Sequence, residues 1–188
     1  MPTIVHGFDW PDRVVIGTVG QPGSRSFYLQ ARDGRRIASV ALEKEQSALL
    51  AEKIDEILDA LMTTEGNPSS VPAASPPELV DNDPLDQPVE PEFRTGAIGL
   101  GWDPTTAQIV IEAYPVVDGE AIDAENEEDD PAIVEPAEML VVRIPVGTAR
   151  AFARRTLEIV GAGRLLCPLC GNPMDPEGHI CPALDSLG

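Results

Sequence analysis

Between residues 63 and 92 the chain places seven prolines, Pro68, Pro72, Pro76, Pro77, Pro84, Pro88 and Pro91, among Ser, Asn and seven acids, with no Lys or Arg. Proline removes a backbone donor and fixes φ, so neither a helix nor a central strand can run through such a stretch. Regular structure must therefore be assembled from the residues on either side. A segment this polar buries too little apolar surface to offset its ordering entropy, and the expectation is a disordered acidic linker. It would divide a first half, residues 1–62, from a second half, residues 93–163.

A second acidic stretch, residues 118–138, carries ten acids and again no basic residue. It is expected as a solvated loop inside the second half. Its alternative roles are a docking site for a basic partner or a shield over a basic surface of the same chain. The two stretches explain the net charge of −19: they hold 17 of the 32 acids, and the other 15 face all 13 Lys and Arg. The acidity belongs to the inserts, and the remainder is nearly balanced.

That remainder, within 188 residues, suffices for one ordinary core. No run of 18 or more apolar residues suggests a membrane span. The N-terminus lacks the basic and apolar regions of a signal peptide, so a cytoplasmic protein is expected.

In the first half, Val14–Val19, Ser26–Arg32 and Arg35–Leu42 read as strands, with a possible opening strand over residues 3–8. Asp33-Gly34 between two alternating runs is a hairpin signal, expected as a type I′ loop. From Glu43 to Met62 apolar residues fall at Leu50, Ile54, Ile57, Leu58 and Leu61, a helical stripe. In the second half, Thr95–Trp102, Gln108–Tyr114 and Met139–Ile144 read as strands. A helix is expected from Thr148, as N-cap, to about Val160, with Ala149, Phe152, Ala153, Leu157 and Val160 apolar. Both halves thus run strands and then a helix, which suggests a pseudo-duplicated β-β-β-α unit. The fold class is α+β: an antiparallel sheet or sandwich covered by two helices. Trp10 and Trp102 each precede a turn containing Pro and Asp, and are expected as aromatic caps on the two hairpins.

The C-terminal residues 164–188 carry the only motif that names a specific chemistry. All three cysteines and one of the two histidines lie in the run Cys167-Pro-Leu-Cys170-Gly, then His179-Ile-Cys181. C-x2-C followed by H-x-C offers four ligands in two close pairs, the set that suits one tetrahedral Zn²⁺. Gly171, Asn172-Pro173 and Glu177-Gly178 are turn signals that fold the second pair onto the first. The expected product is a small zinc knuckle with a closed, structural ion. Free thiols, a redox pair or another metal are the alternatives. Thiols spaced as metal ligands also favour a reducing compartment.

Three stretches carry a resemblance: Phe8–Arg13 with Gly17–Gly23 and Phe27–Ala31; Val40–Lys44; and Cys167–Gly171 with His179-Ile-Cys181-Pro182. They resemble an uncharacterised actinobacterial family, a domain of unknown function of about this length. The resemblance implies a cytosolic bacterial protein and a four-ligand unit at the C-terminus. It implies no reaction.

Three functional readings follow. The first is a zinc-stapled binding or adaptor protein with an unknown protein partner. The second is nucleic-acid contact through Arg150, Arg154 and Arg155 on the second helix and Arg164 leading into the knuckle, since basic residues beside a knuckle can grip phosphates. The third is an enzyme, with Asp9, Arg13, Gln21 and Arg25 converging near the first hairpin, His6 as a general base and Glu43 as a site carboxylate. The glycine-rich run Gly17–Gly23 matches neither phosphate-binding pattern, G-x-x-x-x-G-K-[ST] or G-x-G-x-x-G, and reads as strand and turn.

Overall fold

A computed structural model describes residues 3–117, 135–163, 167–172, 174 and 179–185. Its strands are β1 (Ile4–Asp9), β2 (Arg13–Val19), β3 (Ser26–Asp33), β4 (Arg36–Leu42), β5 (Pro91–Asp103), β6 (Gln108–Pro115) and β7 (Glu138–Pro145). Its two long helices are α1 (Lys44–Met62) and α2 (Val146–Gly161), and a four-residue helix, α3 (Pro182–Asp185), follows the cysteine run.

The fold is α+β, as expected, but its sheet is mixed. The seven strands lie in the order β1-β7-β6-β5-β4-β3-β2. The β2-β3-β4 and β5-β6-β7 runs are antiparallel meanders, each followed by a helix. The pairings β4–β5 and β1–β7 are parallel. The first follows from α1, which carries the chain back so that β5 starts beside β4 in the same direction.

The sheet has to curl. Six inter-strand steps of about 4.8 Å would make a flat sheet about 29 Å wide. β1 and β2 occupy its two edges, yet only Trp10, Pro11 and Asp12 separate them. Four Cα steps reach at most about 15 Å. Contacts across the closure agree: the Arg36 guanidinium of β4 lies 4.4 Å from the Phe8 ring of β1, and the Asp12 carboxylate accepts the Gly34 N–H at 2.7 Å. The bend is taken up in β5, whose first residues pair with β4 and whose later ones pair with β6. A register shift separates Thr95 from Ala97. At Gly96 between them, an added Cβ would lie 2.9 Å from Val116 Cα, so only glycine lets the two backbones approach.

One face of the curled sheet joins the helices in a single apolar cluster. Ile16, Leu29 and Val40 lie side by side in register, as do Ile109 with Ile144 and Ile111 with Val142. Leu50, Ile54 and Leu58 of α1 and Ala149, Phe152 and Ala153 of α2 close the cluster. α1 begins with a capping box in which Glu43 and Gln46 satisfy each other's backbone N–H groups. α2 starts earlier than expected: its N-cap is Pro145, not Thr148. The hairpin also shifts by one residue. Asp33 pairs with Arg36, so the loop is Gly34-Arg35, and φ is positive only at Gly34, the pattern of a type II′ turn. Trp10 caps no hairpin; it stands exposed in the β1–β2 connection.

Residues 63–92 correct the expectation of a disordered linker. They form an ordered strap that runs from the end of α1 over α2, around the β2 edge and onto the outer face of the first meander. Val71 and Leu85 are buried, at 3% and 4% exposure. Leu85 fills the space above Gly17, where a Cβ would meet its Cγ at 2.5 Å. A short 3-10 turn, Pro77–Leu79, sits against α2. The strap is held chiefly by polar contacts. Arg13 donates to the Asp81 carboxylate at 2.6 and 3.0 Å, to Asp86, and to the carbonyls of Asp83 and Pro84. Arg155 of α2 donates to the Asp81 carboxylate and to the carbonyls of Asp83 and Ile16. Arg32 adds a second cation on Asp86, and the buried Gln30 side chain exchanges hydrogen bonds with the Asp86 backbone. Acids without basic neighbours in sequence thus find them in space. Most of the second acidic stretch, residues 118–134, lies outside the described residues.

Candidate metal centre

The C-x2-C turn is tight. Gly171 N–H donates to the Cys167 carbonyl at 2.8 Å, and Cys167 N–H to the Asn172 carbonyl at 2.8 Å. Gly171 sits at φ 73°, a conformation that glycine adopts without Cβ strain. The second pair comes back onto the first. Cys167 Sγ lies 3.8 Å from Cys181 Sγ, and Cys170 Sγ lies 3.2 Å from His179 Nε2. All four ligand atoms fall within 4.8 Å of one another. Cys167 and Cys181 are buried, while Cys170 and His179 are half-buried. Such a set of three soft sulfurs and one imidazole can hold a metal ion.

The electrostatics of the cluster suit a cation. The backbone N–H groups of Cys170 and Leu169 point at the Cys167 sulfur and bring its thiol down to about 6. Cys170 accepts the Asn172 N–H, which lowers its thiol, but burial and the sulfurs of Cys167 and Cys181 outweigh this and raise it. One thiolate forms readily and then disfavours the next. A bound cation removes that conflict by stabilising every thiolate at once.

Of the arginines of the nucleic-acid reading, the three described ones, Arg150, Arg154 and Arg155, do not form a common basic surface. Arg150 is 7% exposed. Its guanidinium bridges the helices, donating to Asp55 and Asp59 of α1 at 2.8 Å each and to the Pro72 carbonyl at 3.1 Å. Arg155 is committed to the strap. Arg154 is exposed and paired with Glu158 one turn on. Arg164 lies outside the described residues. The basic face expected on α2 is therefore largely internal wiring.

Nor do the residues of the enzyme reading converge. Arg13 and Arg25 lie at opposite ends of the β2–β3 pair. Arg25 donates to the Ile159 carbonyl near the end of α2, Asp9 accepts from the Gln108 amide, and Gln21 is exposed in the turn. Glu43 caps α1 and pairs with Arg94. A cleft of about 540 Å³ does open between β2, α2 and the strap. Its two arginines, Arg13 and Arg155, are the ones that already hold Asp81. His6 is half-buried, with Nε2 3.1 Å from the Glu138 carboxylate, a partner 132 residues away that no local spacing announces.

Fold and site together define an α+β protein with a curled mixed sheet and a C-terminal Cys3His cluster. The chain belongs to the family described as a protein of unknown function (DUF3090), which matches residues 6–181. No curated protein and no solved structure matches it. Among the described residues no helix is long and apolar enough to cross a membrane.

Proposed function

We propose that Cys167, Cys170, His179 and Cys181 bind one structural Zn²⁺, and that the protein is a cytosolic binding module which presents the resulting knuckle to a protein partner. The observation that carries this reading is the placement of apolar side chains on the ligand loops. Leu169, inside the C-x2-C turn, is 64% exposed, and Ile180, between His179 and Cys181, is 87% exposed. Large apolar side chains on a loop cost solvation unless something covers them. Four protein ligands leave a tetrahedral zinc no open position, which favours a role in holding shape over one in catalysis. Reduced thiols fit a reducing compartment.

The test pairs metal analysis with native purification of the wild type and of a Leu169→Ser/Ile180→Ser double variant. The expected result is one zinc per Cys3His cluster in both, and a stoichiometric protein partner recovered with the wild type and lost from the variant. Equal recovery from the two would remove the docking role, and zinc-free, fully folded protein would remove the staple.

A further inference from the structure

A second group of ligand-type side chains lies on the sheet, away from the cysteine run. His6 is on β1, Glu92 at the start of β5 and Glu138 at the start of β7. The curl of the sheet brings them together, and their ligand atoms lie within 4.8 Å of one another. We propose that these three residues form a second, open site for a divalent first-row transition cation such as Zn²⁺ or Mn²⁺.

Three observations support the assignment. The first is geometry: His6 Nε2 and Glu138 Oε2 are 3.1 Å apart. Ligands about 2.1 Å from one ion stand about 3.0–3.4 Å from each other, so this pair already has the spacing of adjacent coordination positions. Glu92 is exposed, and its carboxylate lies within 4.8 Å of the other two ligand atoms. The second is charge. Two carboxylates and one imidazole meet here, and among the described residues neither carboxylate is paired with Lys or Arg. A neutral imidazole leaves two negative charges facing each other, and a divalent cation balances them. The third is chemistry: one nitrogen and two carboxylate oxygens, without sulfur, suit zinc, manganese or a similar ion.

The two sites differ in kind. Cys3His closes the coordination shell, whereas three protein ligands leave room for water or a small anionic ligand. The second site would also tie β1, at the sheet edge, to β5 across the closure.

Titration of the whole chain with Co²⁺ separates the two sites spectroscopically, because only thiolates give the intense sulfur-to-cobalt charge-transfer band. Wild type is expected to bind two equivalents. Cys170→Ser should lose most of that band and keep the weak d–d absorption of a nitrogen and oxygen site. His6→Ala and Glu92→Gln should each weaken the second equivalent at least tenfold and leave the charge-transfer band unchanged. Glu92 is exposed, so its replacement is not expected to unfold the chain, and circular dichroism checks this. Mn²⁺, which thiolates bind poorly, serves as an independent probe and should bind wild type and Cys170→Ser alike. A single equivalent in wild type that disappears with Cys170→Ser overturns the proposal. So does a second equivalent that survives the combined His6→Ala/Glu92→Gln substitution.

Discussion

The sheet is covered in two different ways. On one face α1 and α2 seal it with Leu50, Ile54, Leu58 and Phe152, all nearly free of solvent. Around the β2 edge and over the outer face of the first meander, the strap seals it with Leu85 and a lattice of Arg13, Arg32 and Arg155 on Asp81 and Asp86. The helical cover is non-directional and gains stability roughly in proportion to buried apolar area. The strap cover is directional: Arg13 and Arg155 donate to backbone carbonyls as well as to Asp81, Arg32 donates to the Asp86 carboxylate, and removing one guanidinium takes several bonds at once. Burial favours helices here and hydrogen-bond geometry favours the strap, so the two covers should respond differently to substitution, acid and salt.

The largest effect belongs to the helical cover. Phe152→Ala is expected to cost about 3–5 kcal/mol in urea unfolding and to shift strap and core together, since it empties the centre of the cluster. Arg155→Ala comes next, at about 2–3 kcal/mol, because it removes one of the two guanidinium groups on the half-buried Asp81 carboxylate and the donor to the Ile16 and Asp81 carbonyls. Limited proteolysis should show new cleavage within residues 76–88 before the helices yield. If Arg155→Ala unfolds the whole chain cooperatively with no early cleavage, the strap is part of the core and the distinction between the covers fails.

Acid sharpens the same contrast. The Arg13 guanidinium hydrogen-bonded to Asp81 holds that carboxyl below the usual carboxylate range. A carboxyl whose folded pKa is depressed adds stability above its unfolded pKa, and that stability disappears as pH falls through the folded value. Asp81→Asn should therefore cost about 1–2 kcal/mol at neutral pH. The gap to wild type should narrow as the pH drops through and below the ordinary carboxylate range. A gap independent of pH would mean that the charge on Asp81 does not hold the strap. The smallest effect is expected from Arg154→Ala, which removes an exposed i,i+4 pair with Glu158 and should stay within about 0.5 kcal/mol. A loss as large as that of Arg155→Ala would show that exposure on α2 is a poor guide to which arginines matter.

The contrast also explains which parts of the fold could be read in advance. Periodicity reports apolar burial, so the stripe Leu50, Ile54, Leu58 located α1 to within a residue, and the alternation around Asp33-Gly34 located β3 and β4. It reports nothing about a guanidinium reaching a carbonyl 70 residues away. Residues 63–92 therefore looked like solvent-exposed chain, and Arg150 and Arg155 looked like a basic face. The pairing of β1 with β7 was hidden for the same reason, since a parallel partner more than 130 residues distant leaves no turn signal. The Cys3His cluster could be read because both of its ligand pairs are local, C-x2-C and H-x-C, with Gly171 at the position that turns sharply. His6, Glu92 and Glu138 come from three strands far apart in sequence, and only the curl makes them neighbours.

The parallel pairing of β1 with β7 also sets a timetable for synthesis. β2, β3 and β4 pair with one another locally and can form as they leave the ribosome. β1 precedes them all, and among the described strands its only hydrogen-bonded neighbour in the sheet is β7, which starts at Glu138. At about 5–20 residues per second, roughly 6–26 s pass between the synthesis of the two strands. Throughout that interval Ile4, Val5 and Phe8 stand on a strand that still lacks its β7 partner. Closure of the sheet is thus among the last events of its folding, and the N-terminal strand is the part of the newborn protein most in need of protection from other chains.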